Sequence, residues 1–411
     1  MRDMKTLKAE IEKQLVQPVE KISIVNLVDL FVGYAYVAYA SDLHIEPDEE
    51  TVRIRCRIDG LLHDIFEKVK ISKELHDEII SRIKVMAGLR TDEHHAPQDG
   101  RFKAKVEEFG NINIRVSIIP TYYGENAVMR LLAETQTFTL EDLGFRPNDL
   151  ERVQKAIQKP YGMILANGPT GSGKTTTLYT ILKKLNKPEA SIITIEDPIE
   201  YSLSGTTQIQ VNAQAGLTFA NGLRSILRQD PNVVMVGEIR DEETAGIAVN
   251  AALTGHLVLS TLHTNDSATT FPRLIDMGVP PFLIASTVNV AMGQRLVRMV
   301  CQTCKAKRVL TESEVKSLVE LLPEVAEAER VFYTGTGCDE CTGTGYRGRV
   351  GIREVLPVND EIRQLVMNHA NASQIKDAAV KNGMTTMLKD GLEKALQGIT
   401  TLEEVLRIIY E

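Results

Sequence analysis

Apolar positions change their period along the chain, and each change marks a different part. From Ile22 to Ala40 they recur at helical spacing, whereas SDLHIEP (Ser41 to Pro47) and TVRIRCRIDG (Thr51 to Gly60) alternate as strands joined by a turn. In the second strand Val52, Ile54, Cys56 and Ile58 fall on one face and Arg53, Arg55 and Arg57 on the other. The arginine row reads as a solvated sheet face or a face toward a neighbouring subunit, and Cys56 reads as a core residue. Lys73 to Gly88 reads as a helix and PQDGRF (Pro97 to Phe102) as a turn entering a strand. NINIRVSIIP (Asn111 to Pro120) and AVMRLL (Ala127 to Leu132) complete a mostly antiparallel sheet. An α/β sheet domain is expected over 1–135, and a linker over 136–145, where Thr, Gln, Glu and Asp interrupt the apolar pattern.

Beyond the linker the pattern alternates strand, helix, strand, which implies a parallel sheet flanked by helices. Four buried strands stand out at Met163 to Asn167, Ile192 to Glu196, Val233 to Val236 and Leu257 to Thr261. Their carboxyl ends should carry the functional loops. Past Tyr346 the chain reads as helical to its end, with amphipathic segments at Glu361 to His369, Ser373 to Gly383 and Leu402 to Tyr410. The divisions expected are a core over 146–297, a four-cysteine module over 298–347 and a helical region over 348–411.

The 411 residues suffice for two or three domains. A net charge of −8 argues against a general nucleic-acid binder. No uninterrupted apolar stretch is long enough to span a bilayer, since Leu27 to Ala40 is short and broken by Asp29. The mixed charges of MRDMKTLKAEIEKQ do not make a secretory signal, so a cytosolic location is expected.

The loops carry the chemistry. After the first buried strand comes GPTGSGKT, Gly168 to Thr175, a full phosphate-loop pattern with a helix-compatible run behind it. Gly168, Gly171 and Gly173 free backbone N–H groups to face an anion, and Pro169, Thr170, Ser172 and Thr176 complete the cradle. Lys174 is placed to reach the β- and γ-phosphates of a nucleotide, and the Thr175 hydroxyl to join Mg²⁺. VVMVGE places Gly237 where a Walker B Asp usually stands, leaving Glu238 as the nearest carboxylate for Mg²⁺ or its water shell. ITIEDPIEY (Ile193 to Tyr201) crowds carboxylates at another strand end. Glu200 is the favoured base to orient water, with Glu196 its rival and a helix-capping turn the plain alternative. His263, in LHTND, sits at a strand end where it could donate to phosphate, although a lone histidine is as often structural. Arg224 and Arg228 stand four apart on one expected helical face; such pairs are commonly surface ion pairs, or here reach a phosphate across a subunit boundary.

Cys301-x-x-Cys304 and Cys338-x-x-Cys341 make two matched pairs suited to a closed tetrahedral Zn²⁺ site, with redox pairs or an iron–sulfur cluster as the other readings. Gly335, Gly337, Gly343 and Gly345 supply the tight turns.

GPTGSGKT, ITIEDPIEY, the LRxxLRQDP and GEIRD segment and STLHTN, with SDLHIEP, RIDG, PQDGR, the RVS segment, QRL (Gln294 to Leu296) and the paired cysteines, together resemble the type II secretion and type IV pilus assembly ATPases. The resemblance runs from about Val25 to the carboxyl terminus. It implies a RecA-like P-loop core, a PAS-like amino-terminal sheet domain and a homohexameric cytoplasmic motor. Such a motor associates peripherally with the inner membrane through a platform protein, without a span of its own. It also implies that Arg101 of PQDGR and Arg115 of IRVS reach a nucleotide from the amino-terminal domain, with Arg224 and Arg228 on the RecA-like side. Lys174, Glu196 with Glu200, Glu238 and His263 fall in the family's boxes. Assembly ATPases of this group carry a further docking domain, whereas here only a short stretch precedes the first matching helix. Retraction ATPases resemble the chain in length but lack the four cysteines, which favours assembly or secretion. The other readings are a retraction motor, a DNA-uptake or nucleic-acid translocase and a nucleotide-gated scaffold.

Overall fold

The computed structural model describes residues 3–66, 71–106, 110–132, 138–321 and 331–410. The chain divides into two units, Met1–Gln136 and Thr137–Glu411.

The first unit opens with two helices, α1 (Met4–Leu15) and α2 (Ile24–Val37), capped by the Asp3 and Ser23 side chains. Each such cap contributes about 1 kcal/mol. Leu7, Ile11 and Leu15 lie one helical turn apart and are buried, as are Leu27, Phe31 and Ala35 of α2. Next come β1 (Ala40–Pro47), β2 (Val52–Ile58), β3 (Leu61–Asp64), α3 (Lys73–Ala87), β4 (Gln98–Val106), β5 (Gly110–Thr121) and β6 (Gly124–Leu132). The strands form a six-stranded sheet in the order β3-β2-β1-β6-β5-β4. The alternation in β2 holds: Val52, Ile54 and Cys56 are buried, and burial pushes the Cys56 thiol up to about 12, as suits a core residue. On the opposite face Arg55 grips Glu46 with two bonds of 2.8 Å, while Arg57 and Arg130 flank Asp42 at 3.6 and 2.9 Å. PQDGRF is less of a turn than expected, because β4 starts at Gln98, whose neighbours pair with β5 at once.

Residues 136 and 137 of the expected linker lie outside the described residues. From Phe138 onward the stretch packs, with Leu140 and Leu143 buried in the core of the second unit. That unit continues with α4 (Pro147–Ile157), β7 (Gly162–Asn167), α5 (Lys174–Leu185), β8 (Ile192–Glu196), β9 (Thr207–Gln210), α6 (Phe219–Ile226), β10 (Val233–Val236), α7 (Glu242–Leu253), β11 (Leu257–Leu262), α8 (Thr270–Asp276) and α9 (Pro281–Thr287). The chain then runs through β12 (Val288–Val300), β13 (Lys305–Val309), α10 (Glu312–Leu321), β14 (Val331–Gly335), β15 (Tyr346–Pro357), α11 (Asp360–Met367), α12 (Ala372–Lys381), α13 (Met387–Leu396) and α14 (Leu402–Tyr410).

A seven-stranded sheet in the order β15-β12-β7-β11-β10-β8-β9 forms the core. β7, β11, β10 and β8 are mutually parallel and almost wholly buried, so their apolar runs need no alternation. Their carboxyl ends therefore share one rim.

The reading past Tyr346 needs correction at its start. Residues 346–357 form β15, antiparallel to β12, not helix. Its inner half is buried on both faces, and Gly348 and Gly351 interrupt any helical pattern. β12 passes unbroken through the expected boundary at 297 and β15 through that at 347, so the cysteine segment is an excursion from the sheet. Among the described residues no helix is long and apolar enough to cross a membrane.

Candidate functional site

The loop from Gly168 to Gly173 follows β7, and Gly173 is the residue that precedes α5. Gly168 has φ +147°, and a Cβ there would lie 2.5 Å from the Gln294 carbonyl oxygen, so only glycine fits. Pro169, Thr170 and Gly171 form the exposed tip, whereas Ser172 is buried. Lys174, Thr175 and Thr176 open α5 with no side-chain cap, leaving the first N–H groups of the helix without an intrahelical acceptor. The Ser172 Oγ is buried and has no hydrogen-bond partner among the described residues. This donor set fits a phosphate, the ordinary occupant of a glycine-rich helix entrance. The Lys174 Nζ donates to the carbonyls of Gly168 at 2.7 Å and Pro169 at 2.9 Å. Burial brings its ammonium down to about 8, with Glu238 opposing the shift and Arg295 adding to it.

Glu238, from the loop after β10, is thus the carboxylate whose charge bears on Lys174. Its Oε2 accepts from Arg240 Nε at 2.7 Å and lies 3.1 Å from His263 Nε2. The side chain is 13% exposed, and it has partners, as a carboxylate at a buried strand end must. At Gly237 a side chain would be tight, since a Cβ there would lie 3.3 Å from Glu196 Cα and the Ile195 carbonyl oxygen.

The acidic segment separates its two candidates. Glu196 is 3% exposed and its oxygens are committed. Oε2 accepts from the Tyr179 hydroxyl, while Oε1 accepts from Thr194 Oγ1 at 2.5 Å and Gln208 Nε2 at 3.2 Å. Glu200, four residues on, is half-buried in the turn beyond β8.

The arginines stand apart. Arg224 on α6 pairs with Glu243 at 2.6 Å, in the manner of a surface ion pair. Arg228 does not share its helical face, because α6 ends at Ile226 and Arg228 lies in the exposed turn beyond. Asp230 there takes φ +50° before Pro231, which cannot continue a helix. Arg101 and Arg115 belong to the first unit, where they face each other across β4 and β5. Arg130 on β6 is opposite Arg115, so three arginines line up across three strands. Arg130, the single polar residue of AVMRLL, was the available signal.

Sequence reasoning named Gln294 only as part of QRL and gave it no role. β12 pairs with β7 so that Gly293 faces Asn167, which sets the wholly buried Gln294 against the phosphate loop. Its Nε2 donates to the Ser172 carbonyl at 2.7 Å and its Oε1 accepts from Thr177 Oγ1 at 3.0 Å.

The four cysteine sulfurs all lie within 4.8 Å of one another. The Cys301–Cys338, Cys304–Cys341 and Cys338–Cys341 separations are 3.7, 3.8 and 3.7 Å. A tetrahedron with metal–sulfur bonds of about 2.3 Å has edges of about 3.8 Å, and a disulfide would need about 2.05 Å, so the cluster suits one metal ion. Burial alone would raise the Cys341 thiol, but N–H donors of Cys338 and Gly345, each 3.2 Å from its sulfur, bring it down to about 6.

Comparison with known proteins gives the chain its family. The pilus assembly ATPase PilB of Thermus thermophilus is 47% identical over 402 residues, covering 97% of this chain and 44% of that protein. The type II secretion ATPase E of Vibrio cholerae is 44% identical over 400 residues, covering 97% of this chain and 78% of that protein. The chain therefore spans less than half the length of the first relative. Among solved structures, the Legionella pneumophila ATPase DotB superposes with a TM-score of 0.71 at 22% identity, over 96% of this chain and 98% of that one. The pilus retraction motor PilT with bound ADP superposes at 0.64 and 25% identity, over 93% and 96%. The sequence profile described as "Type II/IV secretion system protein" matches residues 17–407, and with these relatives it makes the chain a member of that family.

Proposed function

We propose that the chain is the subunit of an ATP-hydrolysing motor that drives assembly of pilin-like subunits in type IV pilus biogenesis or type II secretion. The observation that carries this reading is that Lys174, on the loop and helix after β7, and Glu238, just after β10, stand at the carboxyl ends of parallel strands of one sheet. A cation on the phosphate loop and a carboxylate from a separate strand end act on each other across the rim of the sheet. Mg²⁺ would supply charge neutralisation between the phosphates. The Thr175 hydroxyl and Glu238 are the residues to hold it. Lys174 exchanges its two loop carbonyls for phosphate oxygens, and His263 steadies Glu238 or donates to the γ-phosphate. Because Glu196 is saturated by its own hydrogen bonds, orientation of the attacking water falls to Glu238 and Glu200.

In this reading six copies form a ring on the cytoplasmic side of the inner membrane, held there by a platform protein. Arg101, Arg115, Arg224 and Arg228 complete a neighbour's nucleotide site. The sheet order of the first unit supports a PAS-like identity, since β2-β1-β6-β5-β4 keeps β1 and the last strand side by side at the centre. The sulfur tetrahedron supports a structural Zn²⁺ held by Cys301, Cys304, Cys338 and Cys341.

The test is turnover by the purified chain with Mg-ATP, with and without the platform's cytoplasmic domain. Wild type should hydrolyse ATP, faster with the partner, and Lys174→Ala should not. Full turnover by Lys174→Ala ends the mechanism, and hydrolysis stimulated by DNA with a steep salt dependence would favour a translocase instead.

A further inference from the structure

We infer that Tyr179 is a positioning residue that ties the acidic segment to the phosphate-loop helix; this rests on the reading of the rim as an ATP-hydrolysing site. Tyr179 lies on α5, five residues beyond Lys174, and is fully buried. Its hydroxyl donates to Glu196 Oε2, and Gln208 Nε2, 3.4 Å from the phenol oxygen, donates to the Tyr201 carbonyl at 3.2 Å. The phenol oxygen, with Gln208 beside it, therefore holds the acidic segment at Glu196 and at Tyr201.

The surroundings leave this oxygen little freedom. Gln208 on β9 places its Nε2 3.4 Å from the Tyr179 oxygen and 3.2 Å from Glu196 Oε1, and its own Oε1 accepts from the Leu203 N–H at 2.7 Å. The Tyr179 ring meets Tyr201 edge-on, with centroids 4.6 Å apart. Tyrosine provides what phenylalanine lacks at this spot, a group that donates to a carboxylate and accepts from an amide at once. α5 starts at the phosphate loop and the acidic segment starts at the end of β8. Any change in the distance between them must stretch the Tyr179 bonds. The hydroxyl so fixes where Glu200 and its neighbours stand relative to the phosphates, without itself touching them.

The experiment is steady-state ATPase kinetics of the full chain for wild type, Tyr179→Phe, Glu196→Gln and the double variant, with nucleotide binding and Tm measured on each. Tyr179→Phe keeps the ring and its packing on Tyr201, so it should fold. A displaced reacting group costs up to about 100-fold, so its kcat should fall on the order of 10- to 100-fold with ATP affinity within about threefold of wild type. If the hydroxyl acts through Glu196, the double variant should be no slower than the slower single variant. Wild-type turnover matched within about twofold by Tyr179→Phe overturns the inference, as do parallel losses of kcat and affinity or an additive cycle. Absence of turnover in wild type would overturn the function proposed above and this inference with it. If Tyr179→Phe fails to fold, Gln208→Leu decides, because it removes the amide beside the phenol oxygen and Glu196 without touching a candidate base, and a kcat within about twofold of wild type there overturns the inference.

Discussion

Gln294 donates its side-chain amide to the carbonyl oxygen of Ser172 at 2.7 Å, which fastens the phosphate loop from the side through β12. In Gln294→Leu the Ser172 carbonyl and the Thr177 hydroxyl, both inside the protein, lose their partner. An orphaned buried polar group costs about 1–3 kcal/mol, so the loop should relax and ATP affinity should fall about tenfold or more. Equilibrium titration with a fluorescent nucleotide measures this, and unchanged affinity would show that the loop holds its shape unaided.

Lys174 gives the site a pH signature. Its ammonium is held down to about 8 by burial, and a bound triphosphate restores the charged form. Below pH 8 the free lysine already carries its proton. Above pH 8 binding must first take one up, so ATP affinity should decline as pH rises from 8 toward 10, by up to about tenfold per unit. Calorimetry in buffers of different ionisation enthalpy should register that proton uptake. In Lys174→Arg, whose charge persists across the range, the decline should vanish.

How much of this was legible in the sequence depended on how local each signal was. GPTGSGKT could be read because the loop is contiguous, and the apolar runs of β7, β8, β10 and β11 could be read because strands buried on both faces need no pattern except hydrophobicity. β12 and β15 escaped notice since MGQRLVRMV and YRGRVGIREV mix charges and glycines into strands that pair with each other across 46 to 67 residues of chain. The roles of Gln294 and Tyr179 follow from pairing and helix docking, which one sequence cannot show. The Glu196 and Glu200 ambiguity had the same origin: spacing placed both at one strand end, and only the neighbours from α5 and β9 show which is enclosed.

Glu238 and His263 should behave differently on substitution. Glu238→Gln keeps the size and hydrogen-bonding reach of the side chain but removes the charge that faces Lys174. Turnover should fall by about 100-fold or more while nucleotide binding persists. His263→Ala removes one partner of Glu238 and leaves Arg240 at 2.7 Å, so about a tenfold loss is expected. Single-turnover kinetics on both variants would reveal an inverted ranking, which would move the chief role to the histidine.

The cysteine cluster should carry one zinc per chain, measurable by elemental analysis of protein purified without added metal. Cys341→Ser removes the sulfur toward which two backbone N–H groups point. It should lower zinc content to near zero and Tm by several degrees, because binding of a structural metal is part of the folding free energy. Iron with visible absorbance would assign a cluster of another kind. The damage should extend to the sheet, since Cys301 follows β12 directly and that strand also presents Gln294.

The arginines of the first unit give the sharpest test of shared sites. If Arg101 serves the nucleotide of a neighbour, Arg101→Ala should bind ATP with near-normal affinity and hydrolyse almost none, whereas Lys174→Ala should fail at binding. Mixing the two inactive proteins then distinguishes action within a chain from action between chains. In a randomly mixed ring about a quarter of the boundaries pair an intact phosphate loop on one side with an intact Arg101 on the other. Those boundaries are complete, so the mixture should recover up to about a quarter of wild-type turnover, while each protein alone stays inactive. If Arg101 acts within its own chain, every site in the mixture lacks one group or the other and nothing returns. Arg115→Ala mixed with Lys174→Ala should follow Arg101, because the two arginines stand opposite each other on β4 and β5 and move as one face.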